Sequence, residues 1–163
     1  QDDAILGNTI LYGATAGRLF AAGLAGERFG VRNSGATTVV EGVGANGLEY
    51  MTGGLAVILG PVGLNFAAGM TGGMAFAYDP EHRFRTSLNT ESVVVNRVGS
   101  AHWAGVLKAL VEEHARETGS DLAQSLLRNW DREIERFWQV CPKEMVGRLD
   151  HALEAEEAVH RRA

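Results

Sequence analysis

A mainly β fold, a parallel β-helix followed by C-terminal α-helices, is what the sequence predicts, and three observations predict it. The tetrapeptide Met51-Thr52-Gly53-Gly54 returns nineteen residues later as Met70-Thr71-Gly72-Gly73. Asn33-Ser34-Gly35 stands nineteen residues before Thr52-Gly53-Gly54, and Thr15-Ala16-Gly17 eighteen before that. A second glycine follows the first three at one offset, Gly17 to Gly26, Gly35 to Gly44 and Gly54 to Gly63. Repeats this short cannot each bury a face alone, so they become stable by stacking strand on strand, about 4.8 Å per coil.

Each element follows from that frame. Leu19 to Ala22, Thr37 to Val40, Leu55 to Leu59 and Met74 to Tyr78 are short apolar runs between glycines and read as strands. Helices are excluded there, because glycine in a helix costs about 0.5–1 kcal/mol relative to alanine and a helix needs roughly ten uninterrupted residues. The column Gly17, Gly35, Gly54 and Gly73 is expected to supply corners with φ > 0, where a bulky residue is poorly tolerated. The column two residues earlier, Thr15, Asn33, Thr52 and Thr71, is expected to form a polar ladder bonding its neighbours or the turn backbone. Phe20, Val57 and Phe76 share one column, and Ala22, Val40, Leu59 and Tyr78 another of the same parity. Ala21, Val39, Ile58 and Ala77 take the opposite parity, so the strands are apolar on both faces. An apolar outer wall implies a cover, either another domain or the C-terminal helices.

The glycine frame stops at Asp79-Pro80, which divides the chain into a β-helix domain over 1–98 and a helical extension over 99–163. Residues 81–98 read as a connection with one further strand at Val93-Val94-Val95. Gly99-Ser100 opens a helix carrying Trp103, Val106, Leu107, Leu110 and Val111, which ends at Gly119. Ser120 caps a second with the stripe Leu122, Leu126, Trp130, Ile134 and Phe137. Pro142 suits the first turn of a third, through Met145, Val146, Leu149 and Leu153, and the tail from Glu154 to Ala163 is expected to fray. The helices are expected to cap the end of the solenoid, where strand edges are otherwise free. Because Ile5 and Leu6 already lie in the repeat frame, earlier coils are expected ahead of Gln1 or from a partner.

Composition excludes several function classes. A net charge of −5 gives no basic footprint for nucleic acid. The single Cys141 rules out an internal disulfide and suits a reducing compartment, taken as the cytoplasm. Residues 50–78 carry no charge, yet their glycines and Pro61 follow the repeat, so no membrane span is read there. Gly42-Val43-Gly44-Ala45-Asn46-Gly47 fits a dinucleotide fingerprint but lacks the helix and the acidic residue that the chemistry needs. His82, His102, His114, His151 and His160 show no metal-ligand spacing. His102 and His114 are read as satisfied or solvent-facing, Asp79, Glu81 and His82 as a solvated turn, and Cys141 as a partly buried thiol. No catalytic, cofactor-binding or metal-binding residue is assigned.

The segments Gly7-Asn8-Thr9-Ile10-Leu11-Tyr12-Gly13, Val31-Arg32-Asn33-Ser34-Gly35-Ala36, Glu49-Tyr50-Met51-Thr52-Gly53-Gly54 and Asn65-Phe66-Ala67-Ala68-Gly69-Met70-Thr71-Gly72-Gly73 resemble the C-terminal glycine-repeat domain of the glutamate synthase large subunit. Phe137-Trp138-Gln139-Val140-Cys141-Pro142-Lys143-Glu144-Met145 is similar to that subunit's extreme C-terminus. The resemblance implies a right-handed parallel β-helix without catalytic residues, which holds other domains together. It implies as partners a glutaminase domain and a synthase barrel with FMN and a 3Fe-4S cluster, together making two glutamates from glutamine and 2-oxoglutarate. It also allows a separate subunit of a related synthase. A carbohydrate-binding or carbohydrate-active module is the alternative, but it needs exposed aromatics and carboxylates along one wall. Residues 1–79 carry only Asp2, Asp3, Glu27, Glu41, Glu49 and Asp79 as acids.

Overall fold

The computed structural model describes residues 4–154 of the 163. Strands β2 (Arg18–Phe20), β4 (Ser34–Val40), β5 (Thr52–Ile58) and β6 (Gly72–Tyr78) stack in parallel, while β1 (Ala4–Leu6) pairs in parallel with β3 (Leu24–Ala25) on a second wall. Arg18 pairs with Thr37, Thr37 with Leu55 and Leu55 with Met74, so successive coils advance by 19, 18 and 19 residues. This is a parallel β-helix of about three turns.

The third wall of each coil is an arc in which alternate residues are left-handed: Thr9, Leu11 and Gly13, then Arg28, Gly30 and Arg32, then Asn46, Leu48 and Tyr50, then Asn65, Ala67 and Gly69. Their φ values lie between +55° and +67° although only three of the twelve are glycine. A left-handed non-glycine residue costs about 1–2 kcal/mol. The cost is offset because the arcs hydrogen-bond to one another, Arg28 N to Ala45 O at 2.9 Å, Asn46 N to Leu64 O at 2.8 Å and Leu48 N to Phe29 O at 2.7 Å.

Packing divides into two cores. Inside the coil lie Phe29, Val40, Leu48, Met51, Ile58, Phe66, Met70 and Ala77. On the outer wall Val39, Val57, Leu59 and Phe76 pack against Leu107, Leu110 and Val111 of α2 (Ala101–Thr118) and Ala123 and Leu126 of α3 (Asp121–Arg128). The cover of the apolar wall is thus the chain's own helices. They lie along the side of the solenoid and not across its end, where they were expected, because the side offers the apolar strip Val39, Val57, Leu59 and Phe76.

The end is sealed otherwise. After α1 (Phe84–Ser87), β7 (Val93–Arg97), α2 and α3, the short α4 (Trp130–Glu133) and a 3-10 turn lead into β8 (Phe137–Pro142), which inserts antiparallel between β6 and β7. Phe137 pairs with Tyr78, and Arg97 with Trp138. The helical stripe expected to run through Phe137 therefore breaks at Asn129, whose φ of −124° ends α3. The aromatic and β-branched residues beyond it satisfy the free edge of β6. The third helix expected after Pro142 is a 3-10 run, Lys143–Arg148. Most of the tail from Glu154 to Ala163, with His160, lies outside the described residues.

A one-residue slip corrects the column assignment. Ser34 pairs with Gly53 but Thr37 with Leu55, a bulge that puts Val39 beside Phe20, Val57 and Phe76 and turns Val40 inward with Ile58 and Ala77. The shorter 18-residue coil, compared in the 19-residue frame, displaced those two residues by one position.

Candidate interaction surfaces and the polar latch

The repeat glycines do two different things. Gly17, Gly54 and Gly73 take φ of +104°, +88° and +79°. Gly35 takes no left-handed φ; a Cβ there would stand 2.1 Å from Thr15 O. Gly26, Gly44 and Gly63 likewise lie against the coil below, where a Cβ on Gly63 would stand 2.4 Å from Ala45 N. Gly53, Gly54, Gly72 and Gly73 belong to β5 and β6, so these pairs lie inside strands and not at corners between them, and the register slips fall between Ser34 and Thr37 and between Thr52 and Leu55. Thr15, Thr52 and Thr71 are exposed, and no hydrogen bond joins their side chains. Asn33 is fully buried and folds back on its own strand, accepting at Oδ1 from Ala36 N at 2.9 Å and donating from Nδ2 to Ala36 O at 3.1 Å.

Where the helices meet the solenoid, Glu41 at the end of β4 accepts at Oε2 from Ser120 Oγ at 2.7 Å and from His114 Nε2 at 2.8 Å. Because an ionised carboxylate only accepts, Nε2 carries the imidazole proton, which leaves the buried Nδ1 without a partner. Ser120 also accepts from Ala123 N at 3.1 Å as the cap of α3, so one hydroxyl serves helix and solenoid together. The three side chain types suggest a nucleophilic triad, but the carboxylate sits between hydroxyl and imidazole. Ser120 donates to Glu41 and His114 is no base to it. The arrangement is a latch.

Burial pushes the Glu41 carboxyl up, but the hydrogen bonds from His114 and Ser120 outweigh it and hold it below its ordinary 4.5. A depressed carboxyl stabilises the fold at pH above its unfolded value and loses that contribution as pH falls through the folded one. Stability should therefore fall on acidification below about pH 4.5, and Glu41→Ala should flatten that part of the profile. The variant should also cost about 2 kcal/mol at neutral pH by orphaning His114 Nε2. Thermal melts between pH 3 and 7 check both.

The other candidate residues are engaged in packing. Asp79, expected in a solvated turn, is 6% exposed and accepts from Arg83 N at 2.8 Å and Trp138 Nε1 at 3.0 Å, whereas Glu81 and His82 are exposed. Tyr78 donates to Glu133, and burial first and that carboxylate second push its phenol up. His102, at the exposed start of α2, stacks on His151 with centroids 3.5 Å apart. Cys141 is fully buried, not partly, and burial pushes its thiol up to about 11. It should resist alkylation in the native state at pH 8 and react only with unfolding, as thiol titration with and without denaturant would show. The 42–47 glycine run leads into an arc and then β5, with no helix for a pyrophosphate. Among the described residues no three His, Cys, Asp or Glu side chains converge as metal ligands, and no helix is long and apolar enough to cross a membrane. Sequence reasoning missed Glu41, which shows no local signal because its partners lie 73 and 79 residues away.

Below the latch, the coil corners around Leu24, Pro61 and Asp79, with Phe84 and Leu122, bound an open groove of about 940 Å³ into which Glu41 faces. The glycine repeat and the helix-covered wall have counterparts among known proteins. The family described as the GXGXG motif matches residues 1–143. The chain belongs to the GXGXG motif family. Among proteins similar to this GXGXG chain is the glutamate synthase (NADPH) large chain of Azospirillum brasilense, 59% identical over 96% of this chain and 10% of its own length. The glutamate synthase (NADH) of Schizosaccharomyces pombe is 48% identical over 97% of this chain and 8% of its own length. The chloroplastic ferredoxin-dependent glutamate synthase of Spinacia oleracea is 50% identical over 87% and 9%. The GXGXG chain thus spans about a tenth of the length of these relatives, one of which is named for an organelle.

Proposed function

We propose that this chain is the structural scaffold segment of a glutamate synthase, a spacer that positions a glutaminase domain and a synthase domain. In the parent reaction, glutamine and 2-oxoglutarate, with two electrons and two protons from a reductant such as the NADPH, NADH or ferredoxin of the relatives' names, become two glutamates, with FMN and an iron–sulfur cluster held by the other domains. The observation that carries this reading is the 59% identity along 96% of the chain to a synthase large chain. The local chemistry is consistent with it. The ionisable groups that meet in the interior, Glu41 with His114 and Tyr78 with Glu133, each join helix or turn to sheet. An iron–sulfur cluster is bound by several cysteine thiolates, and a single buried Cys141 does not supply that donor set. A cytoplasmic location belongs to the same reading.

The test is made on the native polypeptide, expected to be several times larger than 17.5 kDa. Loosening the scaffold with Glu41→Ala should lower coupled glutamate formation while leaving glutamine hydrolysis by the same preparation intact. Equal loss of both, with FMN still bound, would count against a spacer. A native mass near that of this chain would instead indicate a separate subunit.

A further inference from the structure

Trp138 and Arg97 are directly opposite on the antiparallel pair β8 and β7, and Ala77 of β6 is the next neighbour in that row. Ala77 faces the inside of the coil, so this row looks across the closing end of the solenoid. Arg97 lies with its guanidinium carbon 3.6 Å from the indole centroid, held by Nη1 donating to Phe137 O at 3.3 Å. From α1, Arg85 reaches the same ring at 5.3 Å. Two guanidinium groups therefore share one indole, although like charges repel, and both side chains are exposed.

Neither is held in an ion pair. No carboxylate lies within ion-pair distance of Arg85 or Arg97 among the described residues; Asp79 accepts from Trp138 Nε1 and Arg83 N, and its charge compensates Arg97 only in part and from a distance. Burial lowers the Arg97 pKa, Asp79 offsets part of that, and Arg85 adds to the lowering by repulsion. A planar guanidinium already fixed against an aromatic face loses little freedom on binding, and its fork matches a carboxylate in two hydrogen bonds.

We propose that Arg85 and Arg97 over Trp138 form a carboxylate clamp, which docks an acidic side chain from an adjoining domain of the same polypeptide onto the closing end of the solenoid. The occupant follows from charge complementarity and from the relatives' length, nine-tenths of which lies outside this segment. The identity of the occupant as an adjoining domain rests on the scaffold reading above, whereas the clamp's affinity for carboxylate does not.

The experiment is a titration of the 163-residue chain with a short glutamate-rich peptide, and separately with inorganic phosphate, at matched ionic strength. The Trp138 indole N–H resonance is followed. Saturable displacement by the peptide is expected, weakened about tenfold by Arg85→Gln or Arg97→Gln, since a charge-assisted pair is worth that much. Arg97→Lys keeps the charge but removes the fork and should fall between; Arg116→Gln, an exposed arginine on α2, should change nothing. No saturable shift, equal weakening by Arg116→Gln, or phosphate binding as tightly as the peptide would each overturn the clamp as a carboxylate dock. Because no turnover is measured, loss of coupling in the native synthase and loss of peptide binding here remain separate results.

Discussion

Gly72→Ala should destabilise the fold by about 3 kcal/mol or more, a large value for one methyl group. A Cβ at that position would stand 1.9 Å from Thr52 O and 2.6 Å from Thr52 C, and both atoms are backbone of the coil below. No side chain can rotate away. To admit the methyl, β6 must lift from β5, which breaks hydrogen bonds such as Gly72 N to Met51 O on both sides of the bulge. For a domain of this size the loss corresponds to a fall of roughly 10 °C in melting temperature. The matched control is Gly105→Ala in α2, where a Cβ meets nothing within 4 Å. That change should stabilise by about 0.5–1 kcal/mol. Scanning calorimetry of the pair, with opposite signs expected, separates close coil approach from a general effect of replacing glycine.

Phe137→Ala should cost about 3–5 kcal/mol, the range for emptying a buried aromatic site. The ring is fully buried, 5.1 Å from Tyr78 and 5.7 Å from Trp130 between centroids. It sits where β8 joins the sheet to the helical layer, so the cavity weakens both the edge seal and the wall cover. Denaturant unfolding should show a lower midpoint, and amide exchange should accelerate first along β8 and β6. If exchange rose only in α3 and α4, Phe137 would belong to the helical layer alone.

How much of this could be read beforehand differs by element. The parallel stack was legible because a repeat writes its geometry many times: Thr52-Gly53-Gly54 and Thr71-Gly72-Gly73 take equivalent places at the start of β5 and β6 in successive coils. The caps Ser100, Gly119 and Ser120 were legible for a local reason, since each satisfies backbone groups within four residues of itself. The left-handed arcs were not legible, because residues such as Leu11, Leu48 and Tyr50 have no intrinsic preference for positive φ. They take it because each arc is templated by hydrogen bonds to the arcs beside it. The register of β4 was missed for a related reason: the bulge between Ser34 and Thr37 absorbs one residue that the sequence alone does not mark.

By itself the sequence determined the coil period, the two apolar faces of the strands and the caps of the long helices. These depend on contacts within a coil or between identical neighbours, so they recur as pattern. Tertiary structure alone decided that Phe137–Pro142 is a strand, that the helices cover the side wall, and that Glu41 meets His114 and Ser120. Each of these settles a need left open elsewhere in the fold: an unpaired edge on β6, an uncovered apolar wall, a carboxylate drawn out of water. The partner stands 59 to 65 residues away for the β6 edge and 73 and 79 residues away for Glu41, and no periodicity connects the two.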